Sequence, residues 1–343
     1  MNSEMVFRGI AYAIMGVALL FIIILLVHCH KENFNKRQST KQYNRSSALS
    51  TAIVEITTWG AHGTQPGQFI KPRVPVVDDA HKWVYVVDSA GRIQKFTFDG
   101  EYLLEWRTPL TELGKPEAMG IDKQGRLIVC DTHYHRVLIY TSDGKLLAQW
   151  GRLGDAPGEF VFPSGAVADA DGYIYIAQYG GKRDRIQKFS SDGKFILQWG
   201  QRGRAPGEFQ RPGGMAIDSR GFLYVADIVN HRIQKFTRDG KFVTAFGKPG
   251  RKLGELTYPY GIAITPDDRI FVIEYGNNRI QEFTTAGKPV RIIGKAGKQP
   301  GEFAGPWGIA VSRDGFLFVA DTYNHRIQRL KLRTSKRVPV VKY

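Results

Sequence analysis

Val225–Phe236 reads VADIVNHRIQKF, and six versions of this stretch decide the fold of the chain. The other five are VDSAGRIQKF at Val87–Phe96, VCDTHYHRVLIY at Val129–Tyr140, IAQYGGKRDRIQKF at Ile176–Phe189, VIEYGNNRIQEF at Val272–Phe283 and VADTYNHRIQRL at Val319–Leu330. The arginine common to all copies, from Arg92 to Arg326, recurs at intervals of 44, 49, 47, 47 and 47 residues. Six copies at a nearly constant period predict a repeat architecture.

Each copy belongs to a unit in which four β-strands are predicted. Between Arg211 and Gly247, short apolar segments alternate with turn residues, and Asp239-Gly240 marks a tight hairpin because both residues tolerate positive φ. The turn recurs as Asp99-Gly100, Asp143-Gly144 and Asp192-Gly193, with Ala286-Gly287 in the fifth copy. One such sheet is too small to bury its own faces. Six sheets arranged radially therefore predict an all-β, six-bladed β-propeller.

The repeat motifs resemble those of the NHL repeat family. Pro206–Phe209 reads PGEF before the fourth copy, and related forms stand at Pro66–Phe69, Pro157–Phe160, Gly254–Leu256 and Pro300–Phe303. Before the second copy the motif degenerates into Arg107–Lys115, which departs from the family pattern. The resemblance covers Ile53–Leu332 and implies a six-bladed propeller, while its implication for function is weak.

The spacing of the repeats also predicts how the ring closes. Trp59 precedes Pro72 by 13 positions, and Trp199 precedes Pro212 by the same interval. We therefore expect Ile53–Trp59 to form the outermost strand of the sixth blade, whose own repeat ends near Leu332 after three strands. Val338–Tyr343 is the alternative closing strand, although Pro339 lacks the N–H group that a ladder needs.

The first fifty residues differ in composition from the repeats. After a flank at residues 1–8, residues 9–29 include the run GVALLFIIILLV and are uncharged over Gly9–Val27, about the length that spans a bilayer. Without a small-residue cleavage site, this segment predicts an uncleaved transmembrane helix. Residues 30–50 predict a basic flexible tether, residues 51–332 the propeller and residues 333–343 a basic tail. The repeats span about 72–106, 116–150, 163–199, 212–246, 259–293 and 306–332.

The charges that flank the apolar segment favour one side of the membrane without fixing it. Arg8 precedes the segment, and five bases follow it: Lys31, Lys36, Arg37, Lys41 and Arg45. The positive-inside rule therefore favours a cytoplasmic propeller. Long domains nevertheless translocate largely regardless of flanking charge, so the side of the propeller stays open.

A ligand site is predicted at the mouth of the central channel. The residue after each blade-opening proline is expected to face the mouth; these residues are Arg73, Glu117, Ser164, Gly213, Tyr260 and Trp307. The loops after the second strands add His133, His135, Gln178, Tyr179, Glu274 and Tyr275. A packing position would hold one residue type throughout, and function lies more often on long loops than on short turns. The structural alternative is that these are ordinary loop residues that cap the channel.

Residues that recur in most blades are expected to serve the scaffold. Asp88, Asp131, Asp227 and Asp321 each stand four or five positions before the repeated arginine. Their carboxylates are expected to accept loop N–H groups or to pair with that arginine. A single active site has no use for the same residue in several blades.

The net charge of +16 points to an anionic partner. Bases concentrate in the blade-to-blade loops: Arg152, Arg202, Arg204, Arg211, Lys248, Arg251 and Lys252. Some NHL propellers bind single-stranded RNA on such a face, but no aromatic residues alternate with these bases as stacking platforms. An acidic protein, a peptide or an anionic glycan therefore fits at least as well.

An enzymatic alternative comes from a wider resemblance to amidating lyases that cleave peptidyl-α-hydroxyglycine. These lyases have a similar six-bladed ring and a channel zinc held by three histidines, so the resemblance implies zinc or calcium as a cofactor. Only His135 overlaps the ligand pattern, and Tyr179 resembles a loop tyrosine of the lyases. No nucleophile elbow, Walker loop or HExxH helix is present. The sequence thus predicts a membrane-anchored, non-catalytic binding or sensor scaffold without catalytic residues, metal ligands or cofactor, with a lyase and RNA binding as alternatives.

Overall fold

The computed structural model describes residues 53–181 and 183–333. These residues form six four-stranded antiparallel sheets around a central channel. The first strand of each sheet contacts the first strand of the next, and the first strand of blade 6 contacts that of blade 1. The sheets therefore close into a ring, which confirms the predicted six-bladed β-propeller.

Within each blade, the strands follow the chain outward from the channel. Blades 1 to 3 comprise Pro72–Asp78, Trp83–Asp88, Arg92–Thr97 and Tyr102–Arg107; Ala118–Ile121, Leu127–Asp131, Arg136–Tyr140 and Leu146–Trp150; and Phe162–Ala168, Ile174–Tyr179, Arg185–Phe189 and Phe195–Trp199. Blades 4 and 5 comprise Pro212–Ile217, Leu223–Asp227, Arg232–Phe236 and Phe242–Phe246; and Pro259–Ile264, Ile270–Glu274, Arg279–Phe283 and Pro289–Ile293. Blade 6 contains Ile309–Val311, Phe316–Asp321 and Arg326–Leu332, followed spatially by Ile53–Trp59. Short 3-10 helices at Thr132–Tyr134 and Thr322–Asn324 lie between the second and third strands of blades 2 and 6.

The ring is closed by the N-terminal strand. Ile53–Trp59 pairs antiparallel with Arg326–Leu332, with Ile53 opposite Leu332 and Trp59 opposite Ile327. The Arg329 guanidinium reinforces the pair by donating to the Glu55 carboxylate at 2.7 Å. The alternative strand, Val338–Tyr343, lies outside the described residues.

Five of the blade-to-blade loops contain an arm that buries one apolar side chain. The arm is the P-G-E-F segment or its variant, and its last residue pairs in parallel with the start of the same loop, as Arg202 does with Phe209. The buried side chains are Phe69, Phe160, Phe209, Leu256 and Phe303, all with no exposed surface. The connection between blades 1 and 2 is three residues shorter and has no such arm.

The recurring aspartate and arginine hold these arms in place. In blade 4, Asp227 accepts from Arg232 Nε at 2.8 Å and from the Gln210 N–H at 2.7 Å. Arg232 Nη2 in turn donates to the carbonyl oxygens of Ala205 and Glu208, each at 2.9 Å. Asp88–Arg92, Asp131–Arg136 and Asp321–Arg326 form the corresponding ion pairs at 3.2, 2.8 and 2.8 Å. The predicted scaffold role of these aspartates is confirmed.

The apolar core lies between neighbouring blades. Trp199 of the outer strand of blade 3 packs with Phe209 and Phe236, at ring centroid distances of 6.0 Å between Trp199 and Phe236 and 5.5 Å between Phe209 and Phe236. Equivalent clusters fill the other interfaces. This stacking fixes the first strands around the channel and thereby positions the residues at its mouth.

Several predictions concern residues outside the described ranges. They are the flank at residues 1–8, the transmembrane helix at 9–29, the tether at 30–50 and, apart from Arg333, the C-terminal tail. Neither residues 53–181 nor residues 183–333 contain a helix with the length and apolarity that crossing a bilayer requires.

Candidate ligand site at the channel mouth

The channel opens on the face that carries the blade-to-blade loops and the loops between the second and third strands, here called the loop face. Five of the residues that follow the blade-opening prolines line the channel: Glu117, Ser164, Gly213, Tyr260 and Trp307. The sixth, Arg73, contacts both Glu117 and Trp307. The ring closure thus brings residues from every blade to one opening.

Glu117 lies between two arginines at this opening. Its Oε1 accepts from Arg73 Nη1 at 3.4 Å, and its Oε2 lies 3.7 Å from Arg211 Nη2. The side chains of Glu117, Arg73 and Arg211 are 11%, 18% and 34% exposed. One carboxylate for two guanidinium groups leaves an excess of positive charge in a half-buried place. The pair of arginines therefore retains the capacity to bind a further anion.

Aromatic rings form one wall of the mouth. The rings of Tyr260 and Trp307 lie 4.2 Å apart, and the ring of Tyr275 lies 5.2 Å from that of Tyr260. The Arg73 guanidinium stacks over the Trp307 ring at 4.3 Å, which holds its plane in place. Tyr275 also shares a hydrogen bond of 2.8 Å with the hydroxyl of Tyr323, a residue that the sequence did not predict at the site.

Tyr179 completes the mouth on the side of blade 3. Its hydroxyl donates to Glu117 Oε2 at 3.3 Å, and its ring lies 4.7 Å from the Arg211 guanidinium. The Tyr179 ring also packs against Phe162, at 5.3 Å between centroids. Burial and, to a smaller degree, the Glu117 carboxylate raise the pKa of Tyr179 to about 12. Tyr179 therefore stays a protonated donor at neutral pH.

We call Arg73, Glu117, Tyr179, Arg211, Tyr260, Tyr275 and Trp307 the mouth cluster. Below it, the channel contains a cavity of about 220 Å³ lined mainly by apolar side chains, among them Val76, Met119, Ile262 and Ile309. The first strands approach closely enough that a Cβ added at Gly214 would lie 2.5 Å from the Tyr260 carbonyl oxygen. The site thus has a charged, aromatic rim above a narrow apolar shaft.

Two of the predicted site residues do not reach the mouth. Glu274 is fully buried and bonds to partners near its own blade, including Arg279 Nε at 2.6 Å and the Thr257 N–H at 2.9 Å. Glu274 occupies in blade 5 the position that aspartate holds in blades 1, 2, 4 and 6. Gln178 is also fully buried, with its side-chain oxygen accepting from Gln187 at 2.8 Å.

The two histidines of blade 2 lie beside the mouth and contact the backbone. His133 Nδ1 is 3.1 Å from the N–H and from the carbonyl oxygen of Lys115, and His135 Nδ1 contacts the Val161 carbonyl oxygen. Both rings also pack against Phe162. In the part of the chain that the structure describes, no group of three or more His, Cys, Asp or Glu side chains has an arrangement able to hold a metal ion.

The predicted basic residues divide into three sets on the loop face. Arg211 belongs to the mouth cluster. Arg152 and Lys248 lie beside the glutamates of their own arms, at 2.8 Å from Glu159 and 3.7 Å from Glu255. Arg202, Arg204, Arg251 and Lys252 are exposed, and none of them forms an ion pair with another described residue. These four bases, here called the basic arc, lie in the arms that precede blades 4 and 5.

Comparisons with known proteins agree with this fold. The family model of the NHL repeat matches residues 209–236, 256–283 and 303–330, which run from the arm to the third strand of blades 4, 5 and 6. The amino-acid sequence matches none of the curated proteins with which it was compared.

Solved structures of several different proteins share the architecture. A streptogramin B lyase has 17% sequence identity and a TM-score of 0.58, with 81% of this chain and 98% of that chain covered. A gluconolactonase from Xanthomonas campestris has 16% identity and a TM-score of 0.60, with 84% and 93% covered. A chain of a nidogen–laminin complex has 20% identity and a TM-score of 0.51, with 73% and 84% covered. At these identities the likeness extends to the fold alone. Blades 4, 5 and 6 thus carry NHL repeats, and the described residues together build a six-bladed β-propeller.

Proposed function

We propose that this propeller is a non-catalytic binding module that captures an acidic segment of a partner protein at the mouth cluster. The observation that carries the proposal is the position of Arg73 and Arg211 on either side of Glu117. A carboxylate of the partner would bind the guanidinium donors that Glu117 leaves free, and the aromatic wall would cover its flanking side chain.

The shape of the channel favours a peptide over a glycan or RNA. An apolar side chain next to the partner's carboxylate would enter the shaft between Met119 and Ile262, where a hydroxylated sugar would lose hydrogen bonds to water. RNA binding needs several aromatic platforms along a basic groove. Here the aromatic rings lie together at the channel mouth, while the bases of the basic arc lie in the arms before blades 4 and 5.

The chemistry of the mouth supports binding better than catalysis. A lyase of the amidating type needs three metal ligands and an open position. The described residues there offer two imidazoles, His133 and His135, whose Nδ1 atoms both contact backbone carbonyl oxygens, and they form no three-ligand metal site. The structural likeness to a streptogramin B lyase and a gluconolactonase concerns the fold and names no residue here.

A peptide of four glutamates followed by a leucine, labelled with a fluorophore, is a direct probe of the proposal. We expect the full chain to bind it, and Arg73→Gln and Arg211→Gln each to weaken binding about tenfold, as expected for loss of a charge-assisted hydrogen bond. Arg204→Gln, in the basic arc, is the matched control and should change the affinity for the peptide less than threefold. Fluorescence anisotropy gives the affinities.

The same titration separates the alternatives. If the labelled peptide binds Arg73→Gln, Arg211→Gln and the parent equally well, the mouth cluster is not the site. Tighter binding of a heparin fragment or a ten-nucleotide uridylate would identify a glycan or RNA module instead. One equivalent of zinc in the purified full chain, measured by elemental analysis, would move the function to the lyase.

We further propose that residues 9–29 anchor the module in a membrane. The apolar run and the five basic residues that follow it support this location. The full chain should stay in the membrane pellet after alkaline carbonate extraction, whereas residues 51–343 should be released. Release of both chains would refute the anchor.

A further inference from the structure

Blade 3 lacks the carboxylate that every other blade places beside its repeated arginine. An aspartate or glutamate oxygen lies 3.2, 2.8, 2.8, 2.6 and 2.8 Å from a guanidinium nitrogen of Arg92, Arg136, Arg232, Arg279 and Arg326, respectively. In blade 3 the residue opposite Arg185 is Gln178. Among the described residues, no carboxylate pairs with Arg185.

The result is a buried positive charge with an unused donor. Arg185 is 1% exposed, and its Nη atoms donate to the carbonyl oxygens of Asp155, Ala156 and Glu159 and to the side chain of Gln198. Its Nε, which donates to the carboxylate in blades 2, 4, 5 and 6, has no partner among the described residues. Burial also lowers the pKa of this guanidinium from its usual value.

Gln178 adds a second unused donor at the same place. Its Nε2 is buried without a partner in the described residues. The amide cannot be turned to offer its oxygen to Arg185, because Gln187 Nε2 donates to Gln178 Oε1 at 2.8 Å. Gln187 is itself fixed, since its Oε1 accepts from the Gly158 N–H and its Nε2 also donates to the Glu159 carbonyl oxygen, both at 2.8 Å. Both unused groups are therefore donors.

We propose that a small monovalent anion of the halide class, chloride under ordinary conditions, binds inside blade 3 between Gln178 Nε2 and Arg185 Nε. A buried guanidinium charge is stabilised by a nearby negative charge, and two buried donors on facing residues, each without a partner among the described residues, need an acceptor. The donors come from directly opposed residues of adjacent strands, whose Cβ atoms are about 5 Å apart. That spacing suits a single atom better than a sulfate or phosphate.

The proposed anion would also support the mouth cluster without depending on its function. Gln178 is followed directly by Tyr179, whose hydroxyl bonds to Glu117. The anion would hold the end of this strand where five other blades use a carboxylate. The site is thus independent of whether the mouth binds an acidic peptide.

Thermal unfolding of the full chain in sodium chloride and in sodium gluconate of equal ionic strength tests the proposal. We expect chloride and bromide to raise the Tm by about 2 °C or more over gluconate, through binding to the folded state. Gln178→Glu supplies the carboxylate that Glu274 provides in blade 5, so this variant should have a higher Tm in gluconate and no chloride effect. The reciprocal Glu274→Gln should acquire a second chloride-dependent increment.

Two results would overturn the proposal. One is a Tm of the parent chain that does not differ between chloride and gluconate. The other is a chloride effect of equal size in the parent and in Gln178→Glu, which would place the ion elsewhere. Should the variants fail to fold, bromide anomalous scattering from crystals of the parent decides the matter, because a peak between Gln178 and Arg185 is required.

Discussion

Gly240 shows how one residue controls the contact between two blades. It lies in the Asp-Gly turn of blade 4 with φ of 80°, and a Cβ added there would lie 2.6 Å from Trp199 Cδ2 of blade 3. Gly207 has nearly the same φ, 83°, yet no atom lies within 4 Å of its added Cβ. Both glycines therefore need a left-handed backbone conformation, but only at Gly240 would an added Cβ clash with a neighbouring side chain.

We expect Gly240→Ala to lower the free energy of unfolding by about 2 kcal/mol more than Gly207→Ala. Both substitutions introduce a side chain at a left-handed φ, but only the first forces the partly buried Trp199 to move. Urea unfolding followed by tryptophan fluorescence gives both values. Equal losses in the two variants would mean that the contact with Trp199 adds nothing.

His231 and His325 link the stability of the ring to pH. Their Nδ1 atoms accept the N–H groups of Tyr258 at 3.0 Å and Lys71 at 3.2 Å, which only an imidazole unprotonated at Nδ1 can do. Burial is the main cause that lowers the pKa of both histidines in the folded state. The stability from these neutral rings is therefore present above the unfolded-state pKa of about 6.5 and is lost as pH falls toward the folded-state pKa.

The double variant His231→Asn, His325→Asn should make the free energy of unfolding depend less on pH between 7.5 and 5.5. Asn278 plays the same role in blade 5, with φ of 54° and an Oδ1 that accepts the Gly305 N–H at 2.6 Å. The parent should lose free energy of unfolding between pH 7.5 and 5.5, and the double variant should lose less. Urea titrations at these two pH values measure both losses. Equal losses in the parent and the double variant would show that His231 and His325 are not the source of the pH dependence.

At the scale of the strand, the ring depends on Ile53–Trp59. This strand covers the hydrogen-bonding edge of Arg326–Leu332, and Trp59 is 3% exposed between blades 6 and 1. Deleting residues 51–59 should lower the Tm of the chain by roughly 10 °C or more, given the cost of removing one buried tryptophan alone. Deleting residues 338–343 is the control and should leave the Tm unchanged. The reverse pattern would mean that the C-terminal segment closes the ring.

Elements that repeat were predictable from the sequence, and elements that deviate were not. A constant interval placed Ile53–Trp59 in blade 6, because the same geometry must recur in each blade. Tyr134 stands where blade 4 has Asn230, and its hydroxyl accepts the Leu113 N–H at 2.9 Å in the loop that lacks an arm. Likewise, Glu274 and Gln178 took up buried scaffold positions instead of facing the mouth. These local differences between blades depend on how side chains pack in the folded ring, which the spacing of the repeats does not indicate.

At the scale of the molecule, symmetry explains which part of the mouth cluster the sequence indicated. Residues after the blade-opening prolines occupy equivalent positions, so the ring brings Arg73, Glu117, Tyr260 and Trp307 together. Arg211 precedes such a proline, and its guanidinium lies at the mouth, 4.7 Å from the Tyr179 ring. The sequence assigned Arg211 to the basic arc, since side-chain direction is not contained in the repeat pattern.

The distribution of charge between the two faces gives the last prediction. Arg202, Arg204 and Arg251 are exposed on the loop face, whereas Lys145, Lys241 and Lys288 are exposed beside the hairpin turns on the opposite face. Reversing either set to glutamate changes the net charge equally. The loop-face variant should slow association of the glutamate-rich probe peptide about tenfold at low salt, because local potential steers the encounter.

The turn-face variant should slow association less than threefold, and stopped-flow fluorescence at 50 and 300 mM salt measures both rates. The difference between the two variants should shrink at the higher salt concentration, where fields beyond roughly 6 Å are screened. Equal slowing by both variants would show that net charge alone attracts the probe. A specific loss on the loop face would instead tie the basic arc to the same surface as the mouth cluster, with the arc governing the encounter and Arg73 and Arg211 governing retention.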